Sequence, residues 1–194
     1  MQKYRFYREH KYVSHELNDL ERKIAKCDFR LQTEVEKLHQ QFANLKAMLE
    51  SHAEHENVGI HELLRKKGSR LHEQCESEHK KQTQELSNIL SKFESMGPLE
   101  DEKQRIEHGH ELYLLYRTFI ADMLRHLNDE ETQIMPELQR LCSEEEMRSV
   151  DAKHYAVMSE EEVHHMLDVL SPHMNPSDYE FFMDDIRRSR GDDS

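Results

Sequence analysis

Leu49-Glu50-Ser51-His52-Ala53-Glu54-His55-Glu56-Asn57-Val58-Gly59-Ile60-His61-Glu62-Leu63-Leu64 is the stretch on which the fold turns. Leu49, Ile60 and Leu64 continue a series that begins with Val35, Leu38, Phe42 and Leu45, in steps close to three and four residues. That period is one face of an α-helix. His52 and Glu56 fall on the same face, where apolar side chains are expected. The pattern then returns without gaps. Phe42, Leu45, Leu49, His52, Glu56, Ile60 and Leu64 match Tyr116, Phe119, Met123, His126, Glu130, Ile134 and Leu138.

Outward from this pair, Phe6, His10, Val13, Leu17, Leu20 and Ile24 predict a helix before it. His72, Cys75, His79, Gln82, Leu86, Ile89 and Phe93 predict one between the two copies. These also match, because Glu9-His10-Lys11 before Glu16-Leu17 reappears as Glu78-His79-Lys80 before Glu85-Leu86. The chain therefore reads as two copies of a helix pair. Gly68 fits a helix C-terminus and Ser69 an N-cap. Gly97-Pro98 ends the third helix and opens the fourth, with Glu100, Asp101 and Glu102 favourably placed at its positive N-terminal end. Pro136 is expected to bend the last turns of the fourth. The expected fold is all-α: an antiparallel up-down-up-down four-helix bundle over residues 1–142. Residues 143–194 read as a short C-terminal helical extension packed on the bundle, with a frayed tail from about 188. Its helix starts are the capping boxes Ser143/Glu146 and Ser159/Glu162 and the pair Asn175-Pro176.

Composition agrees. Of 194 residues, 36% are hydrophobic and 35% charged, with only 5 Gly and 4 Pro, which argues against a sheet protein or a Gly-rich phosphate cradle. A formal charge of −13 disfavours nucleic acid and anionic membrane as partners. No apolar run is long enough to span a bilayer, and the first residues carry no secretory signal. The 3 cysteines, Cys27, Cys75 and Cys142, form no CxxC, which fits reduced thiols and a cytoplasmic protein. Histidine, at 15 residues, is the unusual count and raises the question of a metal.

His10, His52, Glu56, His79, His126 and Glu130 all lie on apolar stripes. A carboxylate buried without partners costs several kcal/mol, so it must be paired or bind a metal. The levels agree: at 1.5 Å rise per residue, His10 and His52 lie about 24 and about 28 Å from the first connection. Each Glu sits one turn after its His, so the two share a face. Divalent first-row metals suit this set, with imidazoles as terminal ligands and carboxylates as bridges. His15, His72 and His164 also precede an acidic residue by four positions, but lack the combination of stripe and repeat. The other histidines, His61 among them, read as mostly surface residues. Cys75 reads as a small core residue, and Glu131 is turned about 100° from the stripe.

The ordered set Glu9-His10-Lys11, Leu49-x-x-His52-x-x-x-Glu56, Glu78-His79 and Met123-x-x-His126-x-x-x-Glu130-Glu131-x-x-Ile134-Met135-Pro136-x-Leu138 resembles the hemerythrin-like (HHE cation-binding) family over residues 5–141. The resemblance implies two iron ions in an oxygen-bridged, non-haem di-iron centre. His10, His52, His79 and His126 would bind iron, and Glu56 and Glu130 would bridge it. Oxygen-carrying members have a further His one turn before the third-helix ligand, where this chain has Cys75. His72, Cys75, His15, Glu131 or water are then the candidates to complete the site. The implied function is binding or sensing of a small diatomic ligand, oxygen or nitric oxide, or of iron status, rather than catalysis. The alternatives are a ferritin-like di-iron oxidase, which requires Glu where Leu49 and Met123 stand, and a metal-free helical interaction domain.

Overall fold

A computed structural model describes residues 4–191, and among these there are helices and no strands. Four long helices dominate: α1 (His10–Lys26), α2 (Gln32–Glu56), α4 (Leu71–Glu94) and α5 (Glu102–Asp129). The short helices are α3 (Glu62–Lys66), α6 (Met135–Leu141), α7 (Glu144–Tyr155), α8 (Glu160–Leu170) and α9 (Pro176–Arg190). Helix α1 packs on α2 and α5, and α4 packs on the same two. The stripes read from the sequence are the faces that meet. Val13, Leu17, Leu20, Ile24, Phe42, Leu86, Ile89, Phe93, Leu112, Tyr116 and Phe119 are buried in one cluster. Each such side chain contributes about 1.5–3 kcal/mol of transfer free energy.

A second cluster, with Tyr4, Phe6, Tyr7, Ile60, Leu64, Cys75, Ile134, Met135, Leu138 and Met147, closes the other end. Along the chain, the buried histidines and glutamates fall between members of the two clusters.

The helices depart from straight α geometry at two matching places. Asn57–His61 and Glu130–Ile134 are single π-helical segments, leading from α2 into α3 and from α5 into α6. A π turn holds one extra residue, so it shifts the face that follows. Pro136 lies just beyond the second π segment, inside a helical run that continues unbroken into α6, so the departure from α geometry falls where its ring and missing N–H disrupt the α ladder. Helix α1 starts at His10 and not at Phe6, because Tyr7 takes a left-handed φ of 65° that a helix cannot contain. Helix α4 starts at Leu71 with Arg70 at the cap position, and the Ser69 hydroxyl accepts only a long 3.4 Å bond from the Leu71 N–H. The N-terminal caps expected from Ser143, Ser159 and Asn175 are formed. Helix α5 does not open at Pro98 but at Glu102, where the Asp101 side chain accepts from the Gln104 N–H and caps it. Helix α9 remains helical to Arg190 and ends on left-handed Gly191, past the expected start of fraying; 192–194 lie outside the described residues.

Arg105 ties the connections at the apolar end together. Its guanidinium donates to the carbonyls of Phe29 (2.9 Å) and Leu99 (3.2 Å) and to Gln32 Oε1 (2.8 Å). Beside it Phe29 lies against α5 at Gly109, where a Cβ would meet the ring at 2.2 Å. At the other end α7 packs on α9 and on the first π segment. Asp185 of α9 receives Arg8 and Arg148, and the Tyr4 hydroxyl donates to Asp151 of α7.

Gly109→Ala is expected to destabilise the fold by about 1–3 kcal/mol, the usual range for overpacking. Denaturant unfolding checks this; an unchanged midpoint would mean that Phe29 relocates freely.

Candidate metal centre

Four helices each deliver one imidazole to a common point: His10 from α1, His52 from α2, His79 from α4 and His126 from α5. Glu56 ends α2 and Glu130 follows α5 directly. All six are buried, the two glutamates to 1% exposure. Their ligand atoms fall into two sets, His10, His52, Glu56 and Glu130, and His79, His126, Glu56 and Glu130. Within each set the atoms lie within 4.8 Å of one another, so each could hold a metal ion. The two glutamates belong to both sets.

Their oxygens divide between the sets. Glu56 Oε1 lies 3.6 Å from His10 Nε2 and 3.3 Å from His52 Nε2, while its Oε2 lies 3.4 Å from His79 Nε2. Glu130 Oε2 lies 3.4 Å from His10 Nε2, while its Oε1 lies 3.3 Å from His126 Nε2. Each carboxylate thus offers one oxygen to each side. None of these four oxygens has a hydrogen-bond partner, nor do the Nε2 atoms of His10 and His52. Buried polar atoms are nearly always satisfied, so six orphans at one point imply a missing partner.

The far side of every ring is held. Nδ1 of His10 lies 3.0 Å from Glu131 Oε1, and Nδ1 of His52 lies 2.9 Å from Glu9 Oε1. Nδ1 of His79 lies 3.0 Å from Asn57 Oδ1, and Nδ1 of His126 lies 2.8 Å from Glu78 Oε2. An acceptor at Nδ1 places the proton there and leaves the Nε2 lone pair facing inward, the arrangement that metal-ligating histidines adopt. The Nε2 atoms of His79 and His126 meet at 3.1 Å, a separation at which a proton or a cation must lie between the two lone pairs.

Charge accumulates in this space. Burial and the neighbouring Glu56 push the Glu130 carboxyl well above the ordinary range. Burial acts upward on Glu56 too, but His52, His10 and His79 hold it well below that range. Burial disfavours a charged His52, yet Glu56 and Glu9 outweigh it and push the imidazole up to about 9. Metal-free, the site therefore holds protons that an ion must displace.

The candidates for completing the site lie elsewhere. His15 packs its ring on His173, at 4.6 Å. His72 Nδ1 lies 2.6 Å from the Ser69 carbonyl. Cys75 is buried among apolar neighbours, and burial pushes its thiol up, away from the thiolate a metal needs. Glu131 reaches the back of His10 with a side chain that is 56% exposed. His61, expected at the surface, is instead 2% exposed, and its Nε2 lies 3.9 Å from Glu130 Oε1. Burial and His79 push its imidazole down to about 4, so it is neutral. The α period puts residue 60 on the face of His52 and Glu56; the π segment widens the turn and brings residue 61 inward as well. Tyr7 also reaches the site: its ring stacks on His10 at 4.6 Å, and its buried hydroxyl has no partner.

No family model, curated protein or solved structure was found to match this chain.

Glu9→Gln and Glu78→Gln remove charge behind His52 and His126 while keeping an acceptor oxygen. Each is expected to weaken metal binding by about 10–100-fold. Competition with a chelator for Co²⁺ reads the change, and equal affinities would show that these carboxylates do not support the rings.

Proposed function

We propose that the chain is a non-haem di-iron protein of hemerythrin type, an antiparallel up-down-up-down four-helix bundle that binds or senses oxygen, nitric oxide or iron status. The observation that carries this reading is the pair of buried carboxylates, Glu56 and Glu130, with oxygens directed to two sets of imidazoles and no hydrogen-bond partner on any of them. Iron is the choice that the sequence resemblance makes among the first-row ions that this nitrogen-rich, carboxylate-bridged donor set suits. Bound iron would supply redox chemistry and affinity for a diatomic molecule.

The chain's own residues would do the rest. His10 and His52 would hold one ion, His79 and His126 the other, and Glu56 and Glu130 would span both and offset their charge. Glu9, Glu78, Glu131 and Asn57 keep the rings aimed. The apolar clusters on either side exclude water. A metal-free interaction domain would leave the facing carboxylates without a purpose, and a ferritin-like oxidase site would need a carboxylate-rich set that α2 and α5 lack at Leu49 and Met123.

Elemental analysis after iron-replete expression is expected to give two irons per chain. Glu56→Gln or Glu130→Gln should lose at least one, while Glu131→Gln, whose amide can still accept from His10, should keep both. Zero iron in the unaltered chain would overturn the reading, and a single iron would overturn its dinuclear form. Because ligands and core are one structure, a strong chelator is expected to lower the melting temperature. An unchanged melting curve in iron-depleted protein would show that the site is not coupled to the fold.

A further inference from the structure

We propose that His61, carried by the π segment after α2, is a fifth histidine ligand, to the ion on the His79–His126 side. The inference rests on the dinuclear reading above and adds a residue to it. Three observations on His61 itself support it. Its Nε2 is buried without a hydrogen-bond partner, 3.9 Å from Glu130 Oε1. That distance is too long for a hydrogen bond but inside the span of two ligands on opposite sides of one ion, about 4.2 Å at about 2.1 Å each; His61 lies outside both four-residue sets, so its ring closes on the ion as it binds. Its ring centroid lies 5.0 Å from that of His79. Its Nδ1 lies 3.0 Å from Asn57 Oδ1, the same atom that holds His79 Nδ1 at 3.0 Å. One amide oxygen therefore fixes both rings, with both protons on Nδ1 and both Nε2 lone pairs directed away from it. A histidine serving only to fill space would not share the orienting atom of its neighbour and leave Nε2 bare beside a bare carboxylate oxygen.

The repeat sharpens the point. His52 and Glu56 match His126 and Glu130, so His61 matches Met135, which is also buried. The outer partners keep the symmetry: Glu9 behind His52 corresponds to Glu78 behind His126, and Glu131 behind His10 to Asn57 behind His79. Position 61 breaks it. The site thereby becomes unequal, with three imidazoles on one side and two on the other, and the third does not come from the Cys75 position on α4.

The test uses the full chain loaded with Co²⁺ alone. A histidine bound through Nε2 to paramagnetic Co²⁺ carries an Nδ1 proton that is strongly shifted in the proton NMR spectrum and disappears in D₂O. The unaltered protein is expected to show five such signals. His61→Met, which installs the residue of the matching position, should show four and should bind one of its two ions at least about tenfold more weakly, the lower bound for losing even an outer partner. Five signals in the unaltered chain support the proposal even if the variant does not fold. Four signals in the unaltered chain, with two ions bound, would overturn it and leave the dinuclear reading standing. No ion bound by the unaltered chain would remove both.

Discussion

Two carboxylates facing each other out of reach of water are the constraint around which this molecule is arranged. Glu56 and Glu130 are each 1% exposed, and no side chain donates a hydrogen bond to either. Such a pair cannot keep two bare negative charges at the centre of a small fold. Something positive must lie between them, a proton or a cation. The nearest groups are imidazole nitrogens, and each of these rings meets an acceptor on its far side. Every stripe gives up apolar positions here, and the two hydrophobic clusters lie on either side of the level where it does so.

The outer partners follow the internal repeat more closely than the core does. Glu9 and Glu78 precede His10 and His79 in sequence, yet each reaches across to the histidine of the next helix, His52 and His126. Residues 57 and 131, one past each of the two glutamates, reach back to His79 and His10. The two halves therefore interlock: each half supplies one residue, Asn57 or Glu131, that aims a histidine of the other. A helix pair on its own would have half of its imidazoles unsupported, which gives a physical reason for both copies to remain in one chain. The substitution of Asn57 for the acidic Glu131 is the one change among these partners. It replaces a charged acceptor with a neutral one, and that neutral oxygen serves two rings.

The stripes of the four long helices and the six residues that the structure gathers were legible because a period near 3.6 survives through each helix. Glu56 and Glu130 stood out because a repeat preserves them where apolar residues belong. Other features left no such trace. A π segment adds one residue to a turn without any composition mark, so His61 looked like a surface residue when its phase was counted along a straight helix. The left-handed turn at Tyr7 is equally silent, since a non-glycine residue there is held by its tertiary surroundings. Glu9 and Glu78 were visible as a repeated pair, but which histidine each would meet depends on how neighbouring helices are rotated, and spacing along one helix does not encode that.

The C-terminal helices bear on the centre through the same π segment. Gly59 lies between Asn57 and His61, and a Cβ on it would meet Val150 Cγ1 of α7 at 2.7 Å. Helix α7 thus rests directly on the backbone that carries the shared amide and the inward histidine. It is fastened in turn by Tyr4 on Asp151 and by Arg8 and Arg148 on Asp185, and Tyr4 and Arg8 belong to the segment that leads through Tyr7 into His10. The residues beyond the repeat therefore brace both places where the helices depart from regular geometry, the π turn after Glu56 and the left-handed turn before His10. Each departure directs a ring into the centre, and an irregular backbone holds a side chain to sub-ångström tolerance only when packing fixes it from outside. The third element, which is not repeated, thus packs against the backbone on which the repeated helix pairs carry His61 and lead into His10.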